Sequence, residues 1–229
     1  MRRMRTHLPA ARSVAVVVAV LLALAGCWGG DDPDLPAGDA LLRAAADEMA
    51  QVETVAVAIE SDTDVAGLPL RAVDGVITRA GDAEGTALVE QLGQRLEVRF
   101  VVVGDTFYYQ LFGGWQQLPL AEATEFYDPS AILDPDRGLS QLLRTATDPE
   151  VERRDGDTYQ VSATFGASGL ATLLPGAPEG IRGTVWIGVD RPLLHRARVP
   201  VPAEAAGGEA GTLSMNLSGF DQPVTISAP

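Results

Sequence analysis

The side chains able to do chemistry in this chain are few and scattered. It holds two histidines, His7 and His195, and one cysteine, Cys27. A structural zinc site takes about four clustered Cys, His or carboxylate ligands, and no such set can be assembled, so no metal is expected. Gly166-Ala167-Ser168-Gly169 lacks the spacing of a nucleophile elbow. Asp62-Thr63-Asp64 followed by Gly67 opens like a calcium loop, but its twelfth position is Val73 rather than Glu, so it reads as a solvated turn. Gly-rich phosphate loops are absent. The sequon Asn216-Leu217-Ser218 falls in an alternating strand and reads as chance. The densest basic stretch is Arg191, His195, Arg196 and Arg198, the one place suited to an anion. Strand alternation puts Arg196 and Arg198 on one face and His195 on the other. The chain therefore reads as a non-enzyme with no catalytic residue and no cofactor.

Cys27 has a context of its own. Arg2, Arg3, Arg5 and Arg12 precede an unbroken apolar run from Val14 to Ala25. That run is shorter than the roughly 20 residues a spanning helix needs, and a basic segment followed by a short apolar one is a secretory signal. Leu24-Ala25-Gly26-Cys27 closes it and resembles the lipobox of bacterial lipoproteins. Residues 1–26 are thus expected to be a lipoprotein signal peptide and Cys27 the lipidated N-terminus. The sole cysteine then leaves no internal disulfide, and the remaining 203 residues must hold by their core alone.

The four N-terminal arginines leave 13 basic residues against 31 acidic ones, a net charge of −18 beyond the signal. Every basic residue apart from histidine is Arg. So acidic a body is a poor nucleic-acid binder, because phosphate recognition needs basic stripes. It is also repelled by anionic head groups, so residence at the plasma membrane should come from acyl chains on Cys27.

Elements follow from periodicity. Residues 27–38 are rich in Gly, Asp and Pro and read as a flexible tether to a single domain at 39–229. Asp39 is expected to cap a helix carrying Leu41, Leu42, Ala45, Met49 and Val52. Strands follow: Val55, Val57 and Ile59; Leu96, Val98, Phe100 and Val102 against Arg95, Glu97 and Arg99; Phe107, Tyr109 and Leu111; Tyr159 to Phe165; Val185 to Val189; Leu213 to Leu217. One-sided alternation marks antiparallel sheet with one solvated face. Asp128-Pro129 and Asp134-Pro135 each read as a helix N-cap with Pro at the first helical position. Leu139, Leu142, Leu143 and Ala146 then form a helical stripe within an insert at 121–147. A second short helix is expected at 168–174. Roughly ten strands with few helices point to an α+β fold. Its core would be a single strongly curved antiparallel sheet, a half-barrel, with short helices over its concave face.

The block Tyr127-Asp128-Pro129-Ser130-Ala131-Ile132-Leu133-Asp134-Pro135-Asp136-Arg137-Gly138-Leu139 is distinctive. Gly114-Trp115, Leu142-Leu143, Thr184-Val185-Trp186-Ile187 and Pro223-Val224-Thr225-Ile226 lie around it. Over about residues 38–227 the chain resembles the LppX/LprA/LprF/LprG family of mycobacterial and related actinobacterial lipoproteins. The resemblance implies a half-barrel with a hydrophobic cavity between sheet and helices. It implies acylated glycolipids or related di- or triacylated lipids as ligands, and in some members an integral-membrane exporter as partner. The stretch from Ala203 to Gly211, rich in Ala, Gly and Glu, does not align closely with the family and leaves the local rim undefined.

On that reading the protein is a carrier of acylated lipids from the plasma membrane toward the outer envelope. The alternative is an envelope adaptor or assembly factor for a membrane transporter, with a filled core. The expected cavity lining is Val57, Ile59, Leu96, Val98, Phe100, Val102, Phe107, Tyr109 and Leu111, closed by Leu139, Leu142 and Leu143. A one-residue slip of register would turn any of these strands inside out. Arg196 and Arg198 are the candidates to hold an anionic head group at the mouth.

Overall fold

Alternation in the sequence becomes one 11-stranded sheet in the computed structural model, antiparallel at every pairing. The structure describes residues 35–63, 70–91, 93–123, 129–166, 170, 180–203 and 210–229. The expected signal, Cys27 and most of the tether lie outside them, as do residues 64–69 of the calcium-like loop and 204–209 of the unaligned stretch. The expected helix at 168–174 also lies outside them, apart from the buried Leu170.

The first meander is β1 (Thr54–Ser61), β2 (Leu70–Thr78), β3 (Ala83–Gln91), β4 (Gln94–Val103), β5 (Thr106–Gln110) and β6 (Gln116–Pro119). The second is β7 (Thr147–Asp155), β8 (Thr158–Phe165), β9 (Ile181–Gly188), β10 (Leu194–Val201) and β11 (Gly211–Ser218). They join through β1 and β11, giving the order β6-β5-β4-β3-β2-β1-β11-β10-β9-β8-β7. The sheet is therefore open, with β6 and β7 as its edges. Between those edges the chain crosses through α2 (Leu120–Ala123), a 3-10 turn at Pro129–Ile132, and α3 (Leu139–Thr145). α1 (Gly38–Met49) precedes β1 and packs with α3 on the concave face.

The register brings Leu217, Val57, Gly75, Gly85, Phe100 and Tyr109 into one row across six strands. Gly75 and Gly85 face each other in that row. A Cβ on Gly85 would lie 2.8 Å from the Gly75 Cα and 3.0 Å from Cζ of Phe100, and would also collide with the Asp74 carbonyl. Only glycine lets the backbones close there, and the Phe100 ring occupies the space above it.

Several expectations need correction. Asp39 does not cap α1: the N-cap position is Ala37, without a side-chain hydrogen bond, and Asp39 sits in the first turn, where its charge suits the helix dipole. Asp134 does not start α3. Its Oδ1 accepts from the backbone N–H of Asp136 at 2.8 Å and of Arg137 at 3.2 Å, closing a single turn. The N-cap of α3 is Gly138, wedged so closely against the carbonyls of Ala131, Ile132 and Asp134 that no side chain fits. β5 ends at Gln110, so Leu111 belongs to the hairpin tip and not to the strand. β7 reads Thr-Asp-Pro-Glu-Val-Glu-Arg-Arg-Asp and was not expected as a strand, because an exposed edge shows little apolar alternation.

Candidate functional site

The concave face carries the hydrophobic core of the described residues and falls into two unlike parts. Over β8, β9 and β10 it is sealed. Val161, Ala163, Phe165, Val185, Ile187 and Leu194 are all buried. They pack in one core with Leu42, Ala45, Ala46 and Met49 of α1 and with Leu139, Leu142 and Leu143 of α3. Polar contacts hold the helices down. Arg144 of α3 bonds Asp47 of α1 at 2.9 Å. Arg191 bridges Glu48 of α1 at 2.8 Å and Asp221 at 2.9 Å. Asp221 also accepts from the Glu53 backbone N–H, and these donors hold its carboxyl below the usual carboxylate range.

Over β2 to β5 the same face is only half covered. Burial changes along β4: Val102 is fully buried, whereas Phe100, Val98 and Leu96 are progressively nearer one end of the sheet and remain partly exposed. Ile77 and Ala83 are buried beside Val102, while Val73, Ala87 and Val89 share the half-exposed zone. Phe100 and Phe107 stack with ring centroids 6.3 Å apart and planes 6° from parallel. Tyr109 lies next to Phe107 at 6.1 Å, and its hydroxyl bonds Oε1 of Gln116. The result is an apolar trough that is closed at one end and opens toward the end where β1 finishes.

The expected lining residues divide along this line. Val57, Ile59, Val102, Leu139, Leu142 and Leu143 are buried in the core. Leu96, Val98, Phe100, Phe107 and Tyr109 are in the half-covered zone, with Arg95, Glu97 and Arg99 exposed on the opposite face. Leu111 lies beyond the strand, partly exposed. Val73, Ala87 and Val89 were missed by sequence reasoning. Their strands carry Gly75, Gly85, Asp74 and Glu84, which blur the alternation; the β-branched Val73 and Val89 were the available signal.

Arg196 and Arg198 do not come to the mouth of the trough, which corrects their expected place. They alternate with the buried Ala197 and Val199 and project from the convex face. Their guanidinium groups lie 5.4 and 5.9 Å from the ring centre of Trp186, and Arg196 Nε donates to Asn216 Oδ1 at 2.9 Å. His195 sits at a register shift between Leu194 and Arg196 and meets Phe220 edge-on at 5.3 Å. Among the described residues, no three His, Cys, Asp or Glu side chains are grouped to hold a metal ion, and no helix is long and apolar enough to cross a membrane.

Comparison with known proteins adds a decisive observation: the model of the LppX_LprAFG lipoprotein family matches residues 37–226. The chain belongs to that family. Curated relatives include the lipoarabinomannan carrier protein LprG of Mycolicibacterium hassiacum, 31% identical over 95% of this chain and 98% of that protein. LprG of Mycolicibacterium smegmatis is 30% identical, covering 96% of both. Among solved structures, LprF from Mycobacterium bovis superposes with a TM-score of 0.72 at 24% identity, over 84% of this chain and 96% of that one. LppX from Mycobacterium tuberculosis gives 0.61 at 25% identity, over 86% and 100%. Both share the family's curved, unclosed antiparallel sheet with few short helices.

Proposed function

We propose that this lipoprotein binds a di- or triacylated lipid in the trough over β2–β5 and carries it from the plasma membrane toward the outer envelope. The observation that carries this reading is the half-covered apolar zone around Val98, Phe100 and Phe107, beside a face that is otherwise sealed. Burying a methylene is worth about 0.8 kcal/mol, so withdrawing a chain of about 16 carbons from a bilayer costs on the order of 12 kcal/mol. A carrier must return nearly all of that through an equally apolar surface. The relatives named lipoarabinomannan carriers support an acylated glycolipid as the ligand class here. In this reading Cys27 is acylated and holds the protein on the outer face of the plasma membrane, where an integral-membrane exporter would deliver the lipid. The protein acts by binding and not by catalysis.

Mass spectrometry of the protein purified from an actinobacterial host tests the reading: a stoichiometric acylated lipid is expected, and its consistent absence overturns it. The adaptor alternative draws on the convex Arg196–Trp186–Arg198 patch, whose cations and ring suit a protein surface. Val98→Trp separates the two. Carriage predicts loss of bound lipid with folding and partner binding retained; an adaptor keeps its function.

A further inference from the structure

The β5–β6 hairpin ends in Leu111-Phe112-Gly113-Gly114-Trp115. Phe112 is 73% exposed and is the large apolar side chain left in solvent among the described residues. The turn is well formed around it. Gln110 Nε2 donates to the Gly113 carbonyl at 2.6 Å, Gly113 adopts φ 78°, and the Arg99 guanidinium lies 5.9 Å from the Trp115 ring centre. From Gln110 to Gln117 the chain carries no ionisable side chain, although the protein beyond its signal has a net charge of −18.

Position within the sheet gives this tip a partner. β5 finishes at the same end as β1, β3 and β8, as the pairings require. The half-covered trough opens at that end, with Leu96 nearest to it. α1 starts there too, because Gly38 packs against Pro149 at the start of β7, two residues past the Thr147–Thr164 pair. Cys27 precedes Gly38 by 11 residues, a tether that reaches at most about 40 Å when extended. An acylated Cys27 would thus hold this end of the sheet near the bilayer.

We propose that the β5–β6 hairpin is a membrane-contacting wedge, with Phe112 entering the lipid surface at the mouth of the trough. The inference rests on the lipid-anchored reading of Cys27. The occupant is a bilayer because the tip is neutral and aromatic in a strongly acidic protein. Acidic segments, which dominate the rest of the surface, would be repelled by anionic head groups, whereas Phe and Trp partition into the interface. An acyl chain could then pass from bilayer to trough without crossing bulk water.

A nitroxide at Gly114→Cys tests the wedge, since a side chain there meets nothing within 4 Å. The acylated mature chain is reconstituted into vesicles of phosphatidylcholine and phosphatidylglycerol; acylation consumes the Cys27 sulfur, so the label attaches only at 114. Expected is a several-fold higher ratio of oxygen to nickel-chelate collisions than for a label at Glu97→Cys on the solvent face. Adding Phe112→Glu should abolish that difference and slow lipid uptake from the vesicles about tenfold, with equilibrium lipid content unchanged. A label at 114 as water-exposed as one at 97, on protein that floats with the vesicles, overturns the wedge and would fit a protein partner instead. Protein that does not float overturns the anchoring and the wedge together. Neither result bears on whether lipid co-purifies, so failure of the wedge and failure of carriage are told apart.

Discussion

The two halves of the sheet put the same alternating pattern to different uses. In β8–β10 the inward residues are buried beneath α1 and α3, and ion pairs from Arg144 and Arg191 hold the cover in place. In β2–β5 the inward residues are as apolar, yet several stay partly exposed because α1 and α3 pack over the other half. A core that is filled and a surface that waits for a ligand thus cannot be told apart by hydrophobicity alone. What separates them is where the helices land.

Truncations break this comparison most directly. Phe165→Ala in the sealed half should cost about 3–5 kcal/mol, read from urea unfolding, because the ring is enclosed and its edge lies against Gly183. Phe100→Ala, over the glycine pair, should cost less than about half of that. Equal losses would erase the distinction between the halves. Gly85→Ala should destabilise by about 1–3 kcal/mol through overpacking, since its Cβ meets the Asp74 carbonyl, Gly75 and Phe100. A neutral result would show that the close approach of the two backbones does not depend on glycine. Leu96→Ser, at the open end, should change stability by less than about 1 kcal/mol while reducing co-purified lipid; a larger loss would mean that the trough is filled by protein.

The smallest effect concerns the lower end of the sealed half. Asp221 has a carboxyl held below its usual range by the Glu53 N–H and by Arg191. A depressed pKa contributes stability above the ordinary carboxylate value of about 3.9, and that contribution is lost as pH falls through that value toward the depressed one. Asp221→Asn should flatten this part of the acid unfolding curve. At neutral pH it should cost at most about 1 kcal/mol, because the ion pair is partly exposed and screened.

Much of the fold was legible because alternation is unambiguous where one face is wet. β4 is the clearest case: Arg95, Glu97 and Arg99 against Leu96, Val98 and Phe100 gave both strand and register. β2 and β3 were not resolved, since glycines stand where inward side chains would be, and the polar β7 gave no apolar signal. The helix starts at Asp39 and Asp134 were misplaced because Asp satisfies backbone N–H groups in turns as readily as at caps. For the site, alternation paired Arg196 with Arg198 and separated His195, but it could not say which face was concave. The buried row Ala197, Val199 and Val201 settles that and was present in the sequence as the complement of the arginines, whereas the register shift between Leu194 and Arg196 puts Leu194 in that row in place of His195, which alternation could not show.

The seam between β1 and β11 has a consequence for how the chain comes into being. Val57 pairs with Leu217 and Ile59 with Met215, partners 160 and 156 positions apart, at the centre of the sheet. Every other pairing along β1–β6 and β7–β11 joins consecutive strands. Local hairpins can form early, but the long loop must close before the two meanders become one sheet, and such distant pairings come late. As the chain leaves the ribosome, β1 lacks its second neighbour until β11, Gly211–Ser218, has emerged. Because the missing strand belongs in the middle and not at an edge, the two meanders stay separate sheets until it arrives.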